Sequence, residues 1–218
     1  MGFSRLQWLR RRPLLGKPTH HPGVSVIDQE YLTHLPPVTP DLALNYLRGA
    51  LPDFRLVQAG VPVKLALSVR GLDALQEQRA VLLTGASGVG KTTALLQVGV
   101  QLLQRGPWTR AFWIDAACAK PLDVVDGESS PVLLLIDHAD LCQDLPALCA
   151  LLAQGHSDSR VVCAARFNEW KSGHRKWKVP AHQPKPIFPP PLDDADIAQL
   201  AERVATFGAA DHSLTAAA

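Results

Sequence analysis

The sequence contains no apolar run that approaches the ~18 residues needed to cross a membrane. It also contains no C-x-x-C pair, and its cysteines all lie in or beside apolar runs: Cys118, Cys142, Cys149 and Cys163. These features favour small buried thiols in a reducing compartment. The alternative is a zinc site formed by Cys142 and Cys149 with His138 or His156, although this spacing fits no familiar ligand pattern.

The chain carries no large excess of either charge, with 22 Lys and Arg residues, 20 Asp and Glu residues and a formal net charge of +2. This balance excludes a polyanion-binding role for the chain as a whole. A hydrophobic share of 47% with a charged share of 19% excludes global disorder. At roughly 150 residues per domain, the 218 residues correspond to one medium domain with a flank.

The N-terminal segment has no acidic residue before Asp28 and is rich in arginine and proline. A secretory signal would follow such charges with a longer apolar region than this segment has. We therefore expect a cytoplasmic protein without a membrane segment, whose basic start is a flexible, solvated tail. A weak contact with nucleic acid or lipid is the alternative role of this start.

From residue 80 onward, short apolar runs alternate with helical patterns, which is typical of a parallel sheet covered by helices on both faces. The predicted strands span residues 80–84, 110–114, 132–136, 161–165 and 187–188. The predicted helices span residues 41–48, 52–59, 72–78, 91–105 and 145–154. A last helix is predicted to begin at Asp193 or Asp194 and to end at Gly208.

The segment after the first predicted strand fits the pattern G-x-x-x-x-G-K-[ST] in full. This glycine loop consists of Gly85, Ala86, Ser87, Gly88, Val89, Gly90, Lys91, Thr92 and Thr93. Its glycines let the backbone curl around an anion, and its N–H groups, together with the following helix N-terminus, favour phosphate. We expect Lys91 to reach the β- and γ-phosphates, Thr92 to ligate Mg²⁺ and Thr93 to donate to the α-phosphate.

A carboxylate for the metal comes from the third predicted strand, which delivers Asp137 at its C-terminal end. We predict that Asp137 holds Mg²⁺ through water, with a helix cap as the alternative role. His138 follows, where many such ATPases place a glutamate that polarises water, so we expect slow hydrolysis. His138 or Asp140 is the candidate for orienting water; otherwise His138 packs beside the site and Asp140 caps the next turn. The absence of an N-K-x-D or T-K-x-D guanine motif favours ATP.

Arg166 ends the fourth predicted strand. One predicted strand lies in sequence between the glycine loop and Asp137, as in P-loop ATPases with an inserted central strand, and this implies the sheet order 5-1-4-3-2. In that order the strand of Arg166 lies between the other two, and its C-terminal end faces the γ-phosphate. We predict that Arg166 distinguishes ATP from ADP; the alternative is a surface arginine.

Several segments together resemble the P-loop domain of STAND-type NTPases, which are relatives of NACHT and AAA+ modules. The resemblance rests on residues 47–54, 85–93, 134–140, 161–166, 165–170 and 191–194. Residues 165–170 are similar to the R-x-N-E-W segment of bacterial STAND proteins linked to antiviral defence. Residues 47–54 are similar to their R-G-x-x-P-x-W stretch, with Phe54 in place of tryptophan, and residues 191–194 resemble the start of their helical lid.

The resemblance implies a three-layer α/β/α P-loop fold with a parallel five-stranded sheet and a small N-terminal helical flank. It also implies a module that binds ATP or ADP with Mg²⁺, switches between the two states, is a weak ATPase and acts in bacterial defence signalling. Its output is expected to pass to another protein chain or through self-association. The predicted parts are a flexible basic segment (1–40), a helical flank (41–79), the NTPase core (80–192), and the start of the lid with a flexible tail (193–218).

A basic segment with interleaved tryptophans supports one alternative function. It contains Trp170, Lys171, Arg175, Lys176, Trp177 and Lys178. An AAA+-like ATPase helper acting on DNA or RNA would use these cations and indoles as its contact. Otherwise the segment is an insertion with Trp170 docked on the core. A second alternative is a truncated nucleotide-binding module that binds partners without turnover.

Overall fold

The computed structural model describes residues 17–19, 23–115, 122, 131–155, 158–173 and 183–215. The strands within these residues are β1 Lys17–Pro18, β2 Val24–Asp28, β3 Ala80–Gly85, β4 Arg110–Asp115, β5 Leu133–Asp137, β6 Arg160–Arg166 and β7 Lys185–Ile187. The helices are α1 Gln29–Thr33, α2 Pro40–Leu47, α3 Phe54–Gln58, α4 Ala66–Glu77, α5 Lys91–Arg105, α6 Leu145–Gly155, α7 Phe167–Gly173 and α8 Asp194–Thr215. A 3₁₀ turn spans Ala139–Leu141.

A single mixed sheet holds these strands in the order β1-β2-β4-β5-β6-β3-β7. The pairs from β4 to β7 are parallel, whereas β1 and β2 pair antiparallel with their neighbours. The prediction of a wholly parallel sheet of five strands in the order 5-1-4-3-2 is therefore wrong in the count and in the order of the complete sheet. The five strands named from the sequence are adjacent within it, as β7-β3-β6-β5-β4.

The additional strands come from the N-terminal segment. Strand β2 runs beside β4 with Val24 opposite Ile114 and Asp28 opposite Arg110. Helix α1 follows at once, because the Asp28 carboxylate accepts the N–H of Tyr31 at 2.7 Å and caps it. Residues 24–33, which the sequence assigned to a flexible segment, are therefore part of the sheet and its cover, and the four-part division of the chain stays a prediction.

The parallel strands bury alternate residues on opposite faces of the sheet. On one face, Leu83 of β3 and Leu135 of β5 pack with α5, which is buried along most of its length. On the other face, Leu82 and Ile136 pack with α6 and the 3₁₀ turn. The carboxyl ends of β3, β5 and β6 meet at one edge of this three-layer arrangement, so the loops that follow them lie close together.

The helical flank is fixed to the sheet by Phe54. Its fully buried ring meets the rings of Tyr31 and Trp113 edge-on, with centroid distances of 6.4 and 6.2 Å. Helix α3 begins here because the Asp53 carboxylate accepts the N–H of Leu56 at 3.2 Å. This anchoring brings the flank against the start of α5, where the glycine loop ends.

Helix α8 closes the described chain and packs against α2. Its start is as predicted, because Asp193 accepts the N–H of Asp196 at 2.8 Å. Its predicted end at Gly208 is wrong, since the helix continues to Thr215; one glycine costs about 1 kcal/mol inside a helix, which neighbouring residues can offset. Across the ranges that the structure describes, none of the helices has both the length and the apolar character of a membrane span.

Candidate functional site

The glycine loop connects β3 to α5 through two residues with left-handed backbone, Gly88 at φ 82° and Gly90 at φ 77°. At Gly90 a side chain is disfavoured by the backbone, and a Cβ there would also lie 2.7 Å from Cδ1 of Leu65, which would have to move. Gly90 is the N-cap of α5, so the loop and the positive end of the helix dipole share one position. This backbone is suited to an anion.

Several charged side chains lie near the ammonium of Lys91 and affect its pKa. Its ammonium donates to the carbonyl of Ala86 at 2.6 Å, which ties the end of the loop to its beginning. Burial lowers the pKa of Lys91, and the nearby Arg166 guanidinium lowers it further, while Asp137, Glu169 and Asp140 oppose the shift. The sequence-predicted Lys91, Asp137, Asp140 and Arg166 are therefore brought within electrostatic reach of one another.

Two oxygen-bearing side chains meet across β6. The Thr92 hydroxyl at the start of α5 donates to Oδ2 of Asp137, the last residue of β5, at 2.9 Å. The other carboxylate oxygen, Oδ1, accepts the N–H of His138 at 3.0 Å. A hydroxyl and a carboxylate are the hard ligands that Mg²⁺ prefers, so the donor set beside Lys91 fits this metal.

The third loop residue with a side-chain oxygen, Thr93, is held by the helical flank. Its hydroxyl is buried and lies 3.3 Å from the phenol oxygen of Tyr46 in α2. Burial raises the pKa of Tyr46, and the contact with Thr93 opposes that shift. Sequence reasoning missed Tyr46; its position directly before the segment 47–54, which carries part of the family resemblance, is the signal that could have found it.

The residues after Asp137 turn sharply. His138 is exposed and has a left-handed backbone at φ 51° and ψ 45°, which leads the chain into the 3₁₀ turn that carries Asp140. Burial raises the pKa of Asp140, and the carboxylate of Glu169 adds to the increase. Oδ1 of Asp140 is buried and has no hydrogen-bond partner among the described residues. The roles of His138 and Asp140 in orienting water stay predictions.

Arg166 ends β6 directly beside the glycine loop, since it is the register partner of Gly85 in the β3–β6 ladder. Its guanidinium Nη1 donates to Oε1 of Glu169 at 2.8 Å. Glu169 was not predicted as a site residue, although its spacing of three from Arg166 at the start of a helix is the signal for such a pair. We call residues 166–169 the arginine corner.

The zinc alternative finds no support in the structure. Among the residues that it describes, no three His, Cys, Asp or Glu side chains are grouped as metal ligands. Cys142, Cys149 and Cys163 are buried, and burial raises the pKa of Cys149 to about 12, so its thiol stays protonated. Cys118 and His156 lie outside the described residues.

The basic segment is described only at its start. Trp170, a residue of α7, packs in the hydrophobic core with 8% of its surface exposed, as expected for an insertion docked on the core. Lys171 is exposed. The remaining predicted contacts lie outside the described residues: Arg175, Lys176, Trp177 and Lys178. The nucleic-acid interface therefore stays a prediction.

Solved structures offer only distant likenesses. One is Hsp104 in a closed state with ATPγS and FITC casein, with 16% identity, a TM-score of 0.49 and coverage of 69% of this chain and 31% of that chain. Another is PCH-2 of C. elegans, with 15% identity, a TM-score of 0.29 and coverage of 62% and 42%. The chain thus spans less than half of either protein, and scores this low carry no conclusion about function. No curated protein matches the chain.

The family comparison is more direct. Residues 44–178 match the family described as Novel STAND NTPase 5. The matched region begins in α2, includes the whole glycine loop, Asp137 and the arginine corner, and accounts for more than half of the chain. The resemblance to STAND NTPases that the sequence suggested is confirmed. The chain belongs to the Novel STAND NTPase 5 family, and it is a nucleotide-binding NTPase module.

Proposed function

We propose that the protein is an ADP/ATP switch that binds Mg-nucleotide at the glycine loop and hydrolyses ATP slowly. The observation that carries this proposal is the hydrogen bond from Thr92 to Asp137, formed beside Lys91 at the N-terminus of α5. It joins the loop that would hold phosphate to the only β5 carboxylate at the same sheet edge. A nucleotide bound at the loop would therefore contact a metal ligand and an ammonium together.

Different residues of the glycine loop and of β5 would bind the phosphates and the metal. The N–H groups of residues 85–93 and the ammonium of Lys91 bind the phosphates, for which Lys91 exchanges its bond to the Ala86 carbonyl. Thr92 and Asp137 would hold Mg²⁺, which when bound neutralises phosphate charge. Thr93, whose hydroxyl contacts that of Tyr46, would donate to the α-phosphate.

We expect slow hydrolysis because of the two residues that follow Asp137 at the site, His138 and Asp140. The exposed imidazole of His138 replaces a water-polarising glutamate, and its left-handed backbone turns the chain away from β5. Asp140 is the nearest following carboxylate, and burial raises its pKa and keeps one oxygen from solvent. We propose that either group orients water only weakly, so turnover stays below about 1 s⁻¹, the low end of typical enzymes.

In this proposal the output passes to another protein chain, in defence signalling, and ATP is the preferred triphosphate. Residues 80–192 form the nucleotide-binding core, residues 41–79 its flank, and α8 the start of a lid. The packing of α8 on α2, which also carries Tyr46, supports a route from the nucleotide to the lid.

The test is nucleotide binding by the purified chain. Fluorescent ADP and ATP analogues with Mg²⁺ are titrated against wild type, Lys91→Ala and the control Lys185→Ala, whose exposed lysine lies on β7. Because hydrogen bonds to charged groups contribute about 1.5–3 kcal/mol, Lys91→Ala should weaken both nucleotides about 10- to 100-fold. Equal affinities for all three proteins, or no binding by wild type, would refute the proposal.

A further inference from the structure

The arginine corner contains a charge pair that the proposed switch does not yet use. Arg166 leaves β6 and Glu169 lies in the first turn of α7, with 2.8 Å between Nη1 and Oε1. Trp170, the next residue, is anchored in the core with 8% of its surface exposed. Glu169 is therefore held near the sheet edge by the packing of its neighbour, whether or not Arg166 stays with it.

This pair lies beside the place where phosphate would bind. Arg166 is in register with Gly85, the first residue of the glycine loop. Glu169 stays with Arg166 at this edge, because Nη1 and Oε1 are 2.8 Å apart. A phosphate bound at the glycine loop would therefore lie beside the guanidinium and compete with the carboxylate for it.

The pair is also weak enough to be exchanged. The Arg166 and Glu169 side chains are 52% and 43% exposed, and an exposed ion pair shifts an equilibrium by only about two- to fivefold. A phosphate group carries more charge than a carboxylate, and its oxygens suit the planar guanidinium. A terminal phosphate within reach would therefore displace Glu169, whereas without one the pair remains closed.

We propose that Glu169 is a positioning residue that sets the preference between tri- and diphosphate by competing with the γ-phosphate for Arg166. This inference rests on the proposed nucleotide site. In the diphosphate state Arg166 stays with Glu169 and nothing is broken. In the triphosphate state Arg166 must leave Glu169, so the carboxylate lowers affinity for ATP relative to ADP and biases the switch toward its ADP state.

A double-mutant cycle tests the competition. Dissociation constants for ATPγS and ADP with Mg²⁺ are measured by isothermal titration for wild type, Glu169→Gln, Arg166→Ala and the double variant. Glu169→Gln should shift the preference toward ATPγS by about two- to fivefold. In the Arg166→Ala background the same substitution should leave the preference unchanged, because no arginine remains to be released. All four proteins are first compared by thermal unfolding.

The control is Glu77→Gln, which removes the same charge from an exposed carboxylate at the end of α4, at the opposite edge of the sheet. It should not change the preference. Three outcomes overturn the inference: no shift in Glu169→Gln, an equal shift in the Arg166→Ala background, which indicates simple repulsion, or weaker ATPγS binding in Glu169→Gln. If wild type binds neither nucleotide, the proposed function fails and this inference fails with it; normal wild-type binding with an unchanged preference refutes the inference alone.

Discussion

The two loops at the carboxyl edge of the sheet are built differently. The glycine loop is the more constrained: Lys91 donates to the carbonyl of Ala86, Thr92 donates to Asp137, and the hydroxyl of Thr93 lies 3.3 Å from that of Tyr46. The arginine corner, by contrast, has one half-exposed ion pair reaching the same site. In the proposed switch, the glycine loop would bind the phosphates that ADP and ATP share, and the exchangeable ion pair would respond to the phosphate in which they differ. The comparison therefore contrasts residues proposed to bind nucleotide with residues proposed to distinguish ATP from ADP.

The largest expected effect is the loss of nucleotide affinity when the contacts of the glycine loop are removed. Asp137→Ala removes the acceptor of the Thr92 hydroxyl and the proposed ligand for Mg²⁺, so affinity for Mg-ADP and Mg-ATP should fall together by about 10- to 100-fold. The ratio of the two affinities should not change, unlike the ratio in Glu169→Gln. Isothermal titration with Mg²⁺ and with EDTA measures both quantities, since the variant should lose most of the effect of the metal.

Asp115→Ala is the matched control, because Asp115 ends the neighbouring strand β4 in register with Asp137. It removes a carboxylate from the same sheet edge but on the side away from β6. Comparable losses in the two variants would mean that any acidic residue at this edge supports binding. Loss of ATP affinity alone in Asp137→Ala would contradict the division of labour between the loops.

The positions of the glycine loop and of the strand ends beside it were predictable because their determinants are local. The glycine loop, β3 and α5 are contiguous, and β3, β5 and β6 are short apolar runs. The places of Asp137 and Arg166 could be predicted since both end such runs, whereas their roles stay predictions. Even the cap of α8 was readable, as Asp193 stands three residues before the N–H that it accepts.

The parts that sequence reasoning missed depend on contacts distant along the chain. Strand β2 has five residues and becomes a strand by pairing with β4, about 86 positions later, as the register of Ser25 with Trp113 and of Val26 with Phe112 shows. Tyr46 meets Thr93 across 47 positions. Glu169 is near in sequence to Arg166, so their pairing can be read locally, but the place of Arg166 beside the glycine loop follows from the β3–β6 pairing that sets it opposite Gly85. Local patterns cannot report partners on distant strands.

The second-largest expected effect is a difference in stability between alanine variants at Gly88 and Gly90 of the glycine loop. Gly88 and Gly90 both have positive φ, so alanine at either costs about 1–2 kcal/mol from backbone strain. At Gly90 the new Cβ would also meet Leu65 at 2.7 Å, whereas nothing lies within 4 Å of it at Gly88. Gly90→Ala should therefore lower the free energy of unfolding more than Gly88→Ala does, by at most about 1 kcal/mol, because the end of the partly exposed Leu65 side chain can move.

Chemical denaturation of both variants measures this difference, and Gly88→Ala supplies the reference for backbone strain without crowding. Leu65→Ala in the Gly90→Ala background should recover part of the added loss, because it removes the side chain that the new Cβ meets. Equal stabilities of the two alanine variants would show that the loop and Leu65 adjust to the added Cβ at Gly90, and that the glycine loop is less rigid than its contacts indicate.

The smallest effect concerns the bond that joins the flank to the loop. Tyr46→Phe removes a neutral hydrogen bond of 3.3 Å and leaves the Thr93 hydroxyl buried, so the free energy of unfolding should fall by about 1 kcal/mol at pH 7.

Burial raises the pKa of Tyr46 above its ordinary value of 10.0, so the folded state holds the phenol proton more tightly than the unfolded state. The stability that Tyr46 adds is complete below pH 10 and declines as pH rises toward the raised pKa. Denaturation from pH 7 to pH 11 should therefore show wild type losing its advantage over Tyr46→Phe. A constant gap across that range would place the phenol in solvent and detach the flank from the loop.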